Sequence, residues 1–293
     1  MSTLVEILRP GFLLRDALVG SVLVGTVCPL VGVYFVLRRM IFLGVALPQL
    51  ASAGIAFAFL LHRTVVTPHW QLEISERGLA RLGAAAFTLG GILVLAAFER
   101  RGRAIVEARI GVTYAAAGAL TVLFLVIDPW GEAQMVNLLK GDLLGTTRES
   151  LGVLVAVLGA VVIVLVAFQK ELLLVSFDRD LAVAFGKAAG LWDIVLYLLC
   201  GVTISFGVMA AGPLVTFGFL VAPPLTARLL TRHMMTFSVA SAAIGGVTAF
   251  VGFYCAYRYD LPLGPAEVAA TIALLVVVGA AVWFRQTLAP RAA

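Results

Sequence analysis

Long apolar runs, each close to the length of one bilayer crossing, alternate with short polar segments along the entire chain. Nine such runs stand at 17–37, 41–61, 79–98, 110–127, 151–168, 192–211, 213–230, 234–257 and 266–284. A helix needs about 20 apolar residues to span about 30 Å of hydrocarbon. The pattern therefore predicts an all-α polytopic membrane protein with eight or nine crossings. The seventh run sets that range. Gly212-Pro213 precede it and Pro223-Pro224 fall within it, which predicts a broken or partly re-entrant helix. Such breaks survive at membrane depth only when buried in protein or lining a polar cavity. No polar stretch is long enough to fold alone, so residues 1–293 read as a single transmembrane domain.

Composition sharpens the class. Hydrophobic residues make up 62% of the 293 and charged residues only 13%, with a mean hydropathy of +1.07. Soluble domains carry about 25% charged residues, so the apolar surplus here must face lipid. A membrane β-barrel is excluded, because its strands alternate polar and apolar positions and contain no long apolar runs. The net charge of +5 does not point to nucleic acid, since the basic residues sit in short clusters between apolar runs. They read instead as topogenic charge. With the N-terminus outside, 13 of the 21 Lys and Arg residues fall on the inner side. That orientation puts 99–109, 169–190 and 228–233 in the cytoplasm. The expected home is a bacterial-type plasma membrane. Cys28, Cys200 and Cys255 lie in separate apolar runs, with spacing that fits neither a zinc site nor a disulfide framework. The first run is long enough to span and shows no small-residue cleavage site, so no removable signal peptide is expected.

Several absences narrow the chemistry. The chain has no GxxxxGK[ST] phosphate loop, no HExxH, and no Ser/His/Asp or Cys/His constellation. It reads as a transport subunit, not an enzyme, and any ATP would be hydrolysed by a separate partner. A gradient-driven carrier or channel is the alternative from another class. Such proteins usually place ionisable residues within their spans, and these spans hold few away from their ends. The segment 176–190, SFDRDLAVAFGKAAG, carries the most information. Asp178 and Asp180 open a short amphipathic helix, where negative charge suits a helix N-terminus, and Gly186 can end it. Phe177, Leu181, Val183, Ala184 and Phe185 supply apolar positions. The residues fit either a helix that takes motion from a soluble partner or an ordinary interfacial helix. At 138–151, LLKGDLLGTTRESL, Gly141 and Gly145 frame Asp142 in a tight turn. Asp142 either favours a cation at the outer mouth or caps the next helix. His62 and His69 lie in an outward loop with Glu73 and Glu76, as weak candidates for handing over a metal. His233 beside Arg232 complements a helix end.

Three stretches in order, 176–190, GPLVTFGFLVAPPLTARLLTR at 212–232 and YDLPLGPAE at 259–267, resemble the permease family of zinc, manganese and iron ABC importers, the ABC-3 type. The stretch VLRRMIFLGVALPQLASAGIAFAFLL at 36–61 is similar to that family's second-span region. The resemblance implies a type II ABC importer-like fold and a second copy of the chain. It also implies a cytoplasmic ABC ATPase that holds the ATP, an extracytoplasmic substrate-binding protein and a transported metal ion. No cofactor is expected on the chain itself. It further implies that about 176–187 is the coupling helix, through Phe177, Asp178, Asp180, Leu181 and Gly186. One departure matters. Where the family's second span offers an Asp and, four residues later, a His, this chain has Val45 and Gln49. The spacing keeps both on one helical face, but the ligand chemistry is gone. Gln49 and Ser52 can offer oxygens to a hydrated ion or a polar substrate, or can hydrogen-bond between helices. That departure keeps open a permease for metal chelates or cobalamin-type substrates.

Overall fold

The computed structural model describes residue 12 and residues 14–66, 76–99, 106–127 and 147–288. Its helices are α1 (Arg15–Leu37), α2 (Leu43–Leu61), a π turn at His62–Val66, α3 (Glu76–Glu99), α4 (Val106–Ile127) and α5 (Arg148–Ala167). After these come α6 (Gln169–Phe177), α7 (Arg179–Ala184), α8 (Ala189–Ala211), α9 (Pro213–Leu230), α10 (Met234–Tyr259) and α11 (Leu263–Leu288). Among the described residues there is no strand. Nine of these helices are long and apolar enough to cross a membrane, all but α6 and α7. The upper end of the predicted range is therefore the one observed.

The seventh crossing differs from the expectation of a broken helix. Residues Pro213–Leu230 form one continuous helix with Pro223 and Pro224 inside it. The break falls before it, at Gly212, whose φ of 85° is open to glycine at little cost. Pro213 then occupies the first helical position, where its missing N–H is no loss. Pro223 and Pro224 cannot donate to the carbonyls four residues back, those of Phe219 and Leu220. The second of these faces α1 at Gly32, where a Cβ would overlap the Leu220 carbonyl oxygen. Glycine at 32 thus lets the α1 backbone pack directly on the carbonyl that Pro224 leaves free.

Helix α1 is the centre of the bundle and packs on α10, α9, α8 and α5. Its apolar residues Val24, Val27, Cys28, Val31 and Phe35 are buried. Since lipid is as apolar as leucine, helices in membranes associate by close packing of small residues. Gly25 meets Gly245 and Ala249 of α10 in this way, and Gly54 of α2 meets Gly83 of α3. Outward, α4, α5 and α11 expose Val112, Val126, Ile163, Val166, Val276 and Val277. These faces suit lipid or a second membrane subunit.

Candidate functional site

Two short helices, α6 and α7, lie outside the spans on the side of the bundle where α1 ends. The chain leaves α5 at Phe168 and turns into α6, a nine-residue helix that pattern reading had left inside a cytoplasmic loop. Asp178 then breaks the helix with extended backbone and caps α7, its carboxylate accepting from the Leu181 N–H at 2.9 Å. Thus the helix begins at Arg179; Ser176 and Phe177 belong to α6, and the predicted 176–187 element is shorter than expected. Asp180 lies in its first turn. The stop is the one expected. Gly186 has φ 70°, its N–H donates to Val183, and Lys187 N–H donates to Ala182 at 3.0 Å. That pair of bonds is a glycine-terminated Schellman turn.

The apolar residues of this unit do not all face inward. Ala182 is buried against Val175 and Ala189, with Leu174 and Trp192 beside them. Phe177, Leu181, Val183 and Phe185 are exposed, the two phenylalanines by 64% and 69%. An apolar patch held on a short, capped helix marks a surface made for contact. Lys187 pairs with Glu171 at 3.3 Å and ties the end of the unit to the start of α6. A backbone hydrogen bond within Glu171, then the Lys187 side chain, holds the Glu171 carboxyl below its ordinary pKa.

Arg38 joins this unit to the bundle. It is the C-cap of α1, followed by Arg39 in the left-handed region at φ 57°. Its Nη1 lies 2.7 Å from Asp193 of α8, and its Nε donates to Ser176 of α6 at 3.1 Å. The guanidinium also sits 5.8 Å over the Tyr197 ring. Asp193 in turn reaches Arg179, the first residue of α7, at 3.5 Å. Residues read from sequence only as topogenic charge therefore form an ion-pair network. A largely buried arginine shared between segments distant in sequence leaves no periodic signal.

The expected substrate-path residues lie on α2. Val45 and Gln49 are half-buried on one face, and the Gln49 amide lies against Gly118 of α4. Ser52 is buried, and its hydroxyl donates to the Pro48 carbonyl of its own helix at 3.0 Å. Among the described residues it makes no interhelical hydrogen bond. His62 opens the π turn at the outer end of α2. Asp142, His69 and Glu73 lie outside the described residues. Among the described residues, no three His, Cys, Asp or Glu side chains cluster as metal ligands.

Sequence reading passed over one intramembrane carboxylate. Glu267, in the first turns of α11, is fully buried and accepts a 2.5 Å hydrogen bond from Ser21 of α1. Its α-carbon packs on Gly252 of α10, where no Cβ would fit. One turn on, Thr271 donates to the Glu267 carbonyl and touches Thr248 of α10. The only signal was an acidic residue inside an apolar run, and it was masked by the polar turn YDLPLGP just before it.

A model of the ABC 3 transport family matches residues 12–282. The chain belongs to that family. ABC 3 membership makes it the membrane-spanning component of an ABC-type transport system in a bacterial inner membrane. This member is 25% identical over 264 residues to the manganese transport system membrane protein MntC of Listeria monocytogenes, covering 90% of this chain and 89% of that one. It is also 25% identical to a probable iron transport system membrane protein of Haemophilus influenzae, covering 89% and 87%. The fold of this ABC 3 protein matches that of PsaBC from Streptococcus pneumoniae, solved in complex with Fab. The TM-score is 0.79 at 21% identity, over 94% of this chain and 93% of the other. A metal-chelate type ABC transporter in an inward-facing conformation matches with a TM-score of 0.72 at 16% identity, over 91% and 85%.

Proposed function

We propose that this chain is the permease of an ATP-driven importer of divalent metal ions, working as a pair of copies with a cytoplasmic ABC ATPase and an extracytoplasmic binding protein. The observation that carries this reading is the α7 unit. A six-residue helix, capped by Asp178 and closed by Gly186, holds Leu181 and Val183 outward, with Phe177 at the end of α6 and the C-cap Phe185 beside them, on the side of the membrane where Arg38 ends α1. Apolar side chains displayed on so short an element gain their burial from a partner. ATP binding by that partner drives alternating access only through its different affinity for the two states. The relatives named for manganese and iron transport support a metal cargo.

Among such cargoes the lining of α2 favours an oxygen-preferring ion. Zinc selects Cys, His and carboxylate, whereas manganese accepts carbonyl oxygens and water. The Gln49 side chain, whose amide nitrogen lies against the small Gly118, carries one such carbonyl oxygen. The test is capture of the ATPase. Wild-type chain in mild detergent retains a stoichiometric subunit carrying a phosphate loop, and Leu181→Asp with Phe185→Asp releases it. Equal retention by the double variant would remove α7 from the interface.

A further inference from the structure

If α7 receives the motion of the ATPase, something must carry that motion into the spans. The apolar hold of α7 on the bundle is small, with Ala182 its one buried residue. Two ion pairs supplement it, and one of them, Lys187 to Glu171, only returns to α6. The other, Arg179 to Asp193, leads inward. Asp193 sits at the start of α8 and holds Arg38 of α1 through its other oxygen at 2.7 Å. Arg38 also grips Ser176 in the last turn of α6. One side chain therefore touches the segments on both sides of α7.

We propose that Arg38 is a positioning residue of the transport cycle, carrying displacement of α7 into α1 through Asp193 and Ser176. The proposal rests on the reading of α7 as the element that docks the ATPase. Three features support it. The two arginines on Asp193 differ in kind: Arg38 is 11% exposed and close, while Arg179 is 58% exposed and longer. Asp193 thus joins an exposed link to α7 with a shielded one to α1. A planar fork bonded in two directions transmits orientation, which a single point charge does not. Arg38 Nη2 finds no hydrogen-bond partner among the described residues. A buried donor left open is a position that another arrangement of the network can fill. Finally, α1 cannot flex away from its neighbours. Gly25 and Gly32 lock its backbone to α10 and α9, so movement at Arg38 shifts those helices with it.

The experiment is a reconstituted complex with the ATPase and the binding protein, with manganese ion as the probe and Arg38→Gln and Asp193→Asn as variants. Both are expected to keep ATPase binding and hydrolysis while manganese moved per ATP falls about tenfold, within the usual range of coupling between sites. The double variant is expected to be no worse than either single one, because the pair acts as a unit. A merely structural role lowers hydrolysis and uptake together; an unchanged ratio overturns the proposal. A readout independent of cargo is the distance between spin labels at Phe42 in the two copies, with and without ATP. Loss of the ATP-dependent change in Arg38→Gln supports the linkage, and its persistence overturns it. If Arg38→Gln does not accumulate, the exposed Arg179→Gln takes its place with the same two outcomes. The Leu181→Asp, Phe185→Asp variant separates the two ideas. ATPase binding that survives it defeats the docking reading. Binding lost there, with normal coupling in Arg38→Gln, defeats the linkage alone.

Discussion

Replacing Gly32 by alanine should destabilise the bundle more than its single methyl suggests. The added Cβ would lie 2.8 Å from the Leu220 carbonyl carbon and 3.0 Å from Pro224 Cγ, and closer still to the carbonyl oxygen. Comfortable carbon contacts begin at about 3.5 Å, and the carbonyl oxygen is nearer than either carbon, so α1 and α9 must part by at least about 1 Å. A gap of that size forfeits about half of the dispersion energy along the seam. Retreat in the other direction is blocked where Gly25 already meets Gly245 of α10. Overpacking of this kind costs about 1–3 kcal/mol. For a chain of this size that lowers Tm by about 2–5 °C. The assay is thermal unfolding of the detergent-purified protein, with Gly159→Ala on α5 beside it. A Cβ at Gly159 meets nothing within 4 Å, and alanine favours the helix over glycine by about 0.5–1 kcal/mol, so its Tm should hold or rise. Equal Tm for Gly32→Ala and wild type, or an equal loss in both variants, would refute the packing argument.

The remaining expectations concern other links. Ser21→Ala removes the donor to Glu267 Oε1 and should cost about 1–3 kcal/mol, the penalty of an unpaired buried group; Ser21→Ala with Glu267→Leu should recover part of it in the same melting assay. The Glu171 carboxyl titrates below its ordinary value, so its contribution is complete above the unfolded pKa and is lost as pH falls through the lowered one. Protection of the α6 and α7 amides, taken relative to their intrinsic exchange rates, should therefore fall as the pH drops below the ordinary glutamate range, and Lys187→Ala should weaken that dependence. Val45→Asp with Gln49→His restores carboxylate and imidazole on one face of α2 and should raise zinc uptake relative to manganese, measured in cells lacking other importers. An unchanged ratio would mean that this face does not meet the cargo.

Most of the architecture was legible because each crossing is an uninterrupted apolar run, and lipid solvent permits little else. The capping residues of α7 were legible too: Asp178 and Gly186 act locally, and local chemistry shows in sequence. What escaped was tertiary. Pro223 and Pro224 read as a break, yet α9 continues through them, because Gly32 on a distant helix packs on the freed Leu220 carbonyl. Arg38 and Asp193 lie 155 positions apart and meet only in the fold. Helix α6 was lost in a polar loop, since nine residues give only about two and a half turns of periodicity. Ser52 offered either an oxygen to the path or a bond to a neighbouring helix; its hydroxyl donates within α2, which only the fold could show.

The central claim is that this chain moves metal ions only when an ATPase drives it through α7. The direct measurement is manganese uptake into proteoliposomes that hold the chain, its ATPase and its binding protein. The account predicts uptake that requires ATP hydrolysis and is lost in Leu181→Asp with Phe185→Asp. Flux through the chain alone, driven by an ion gradient and unaffected by removing the ATPase, would contradict it.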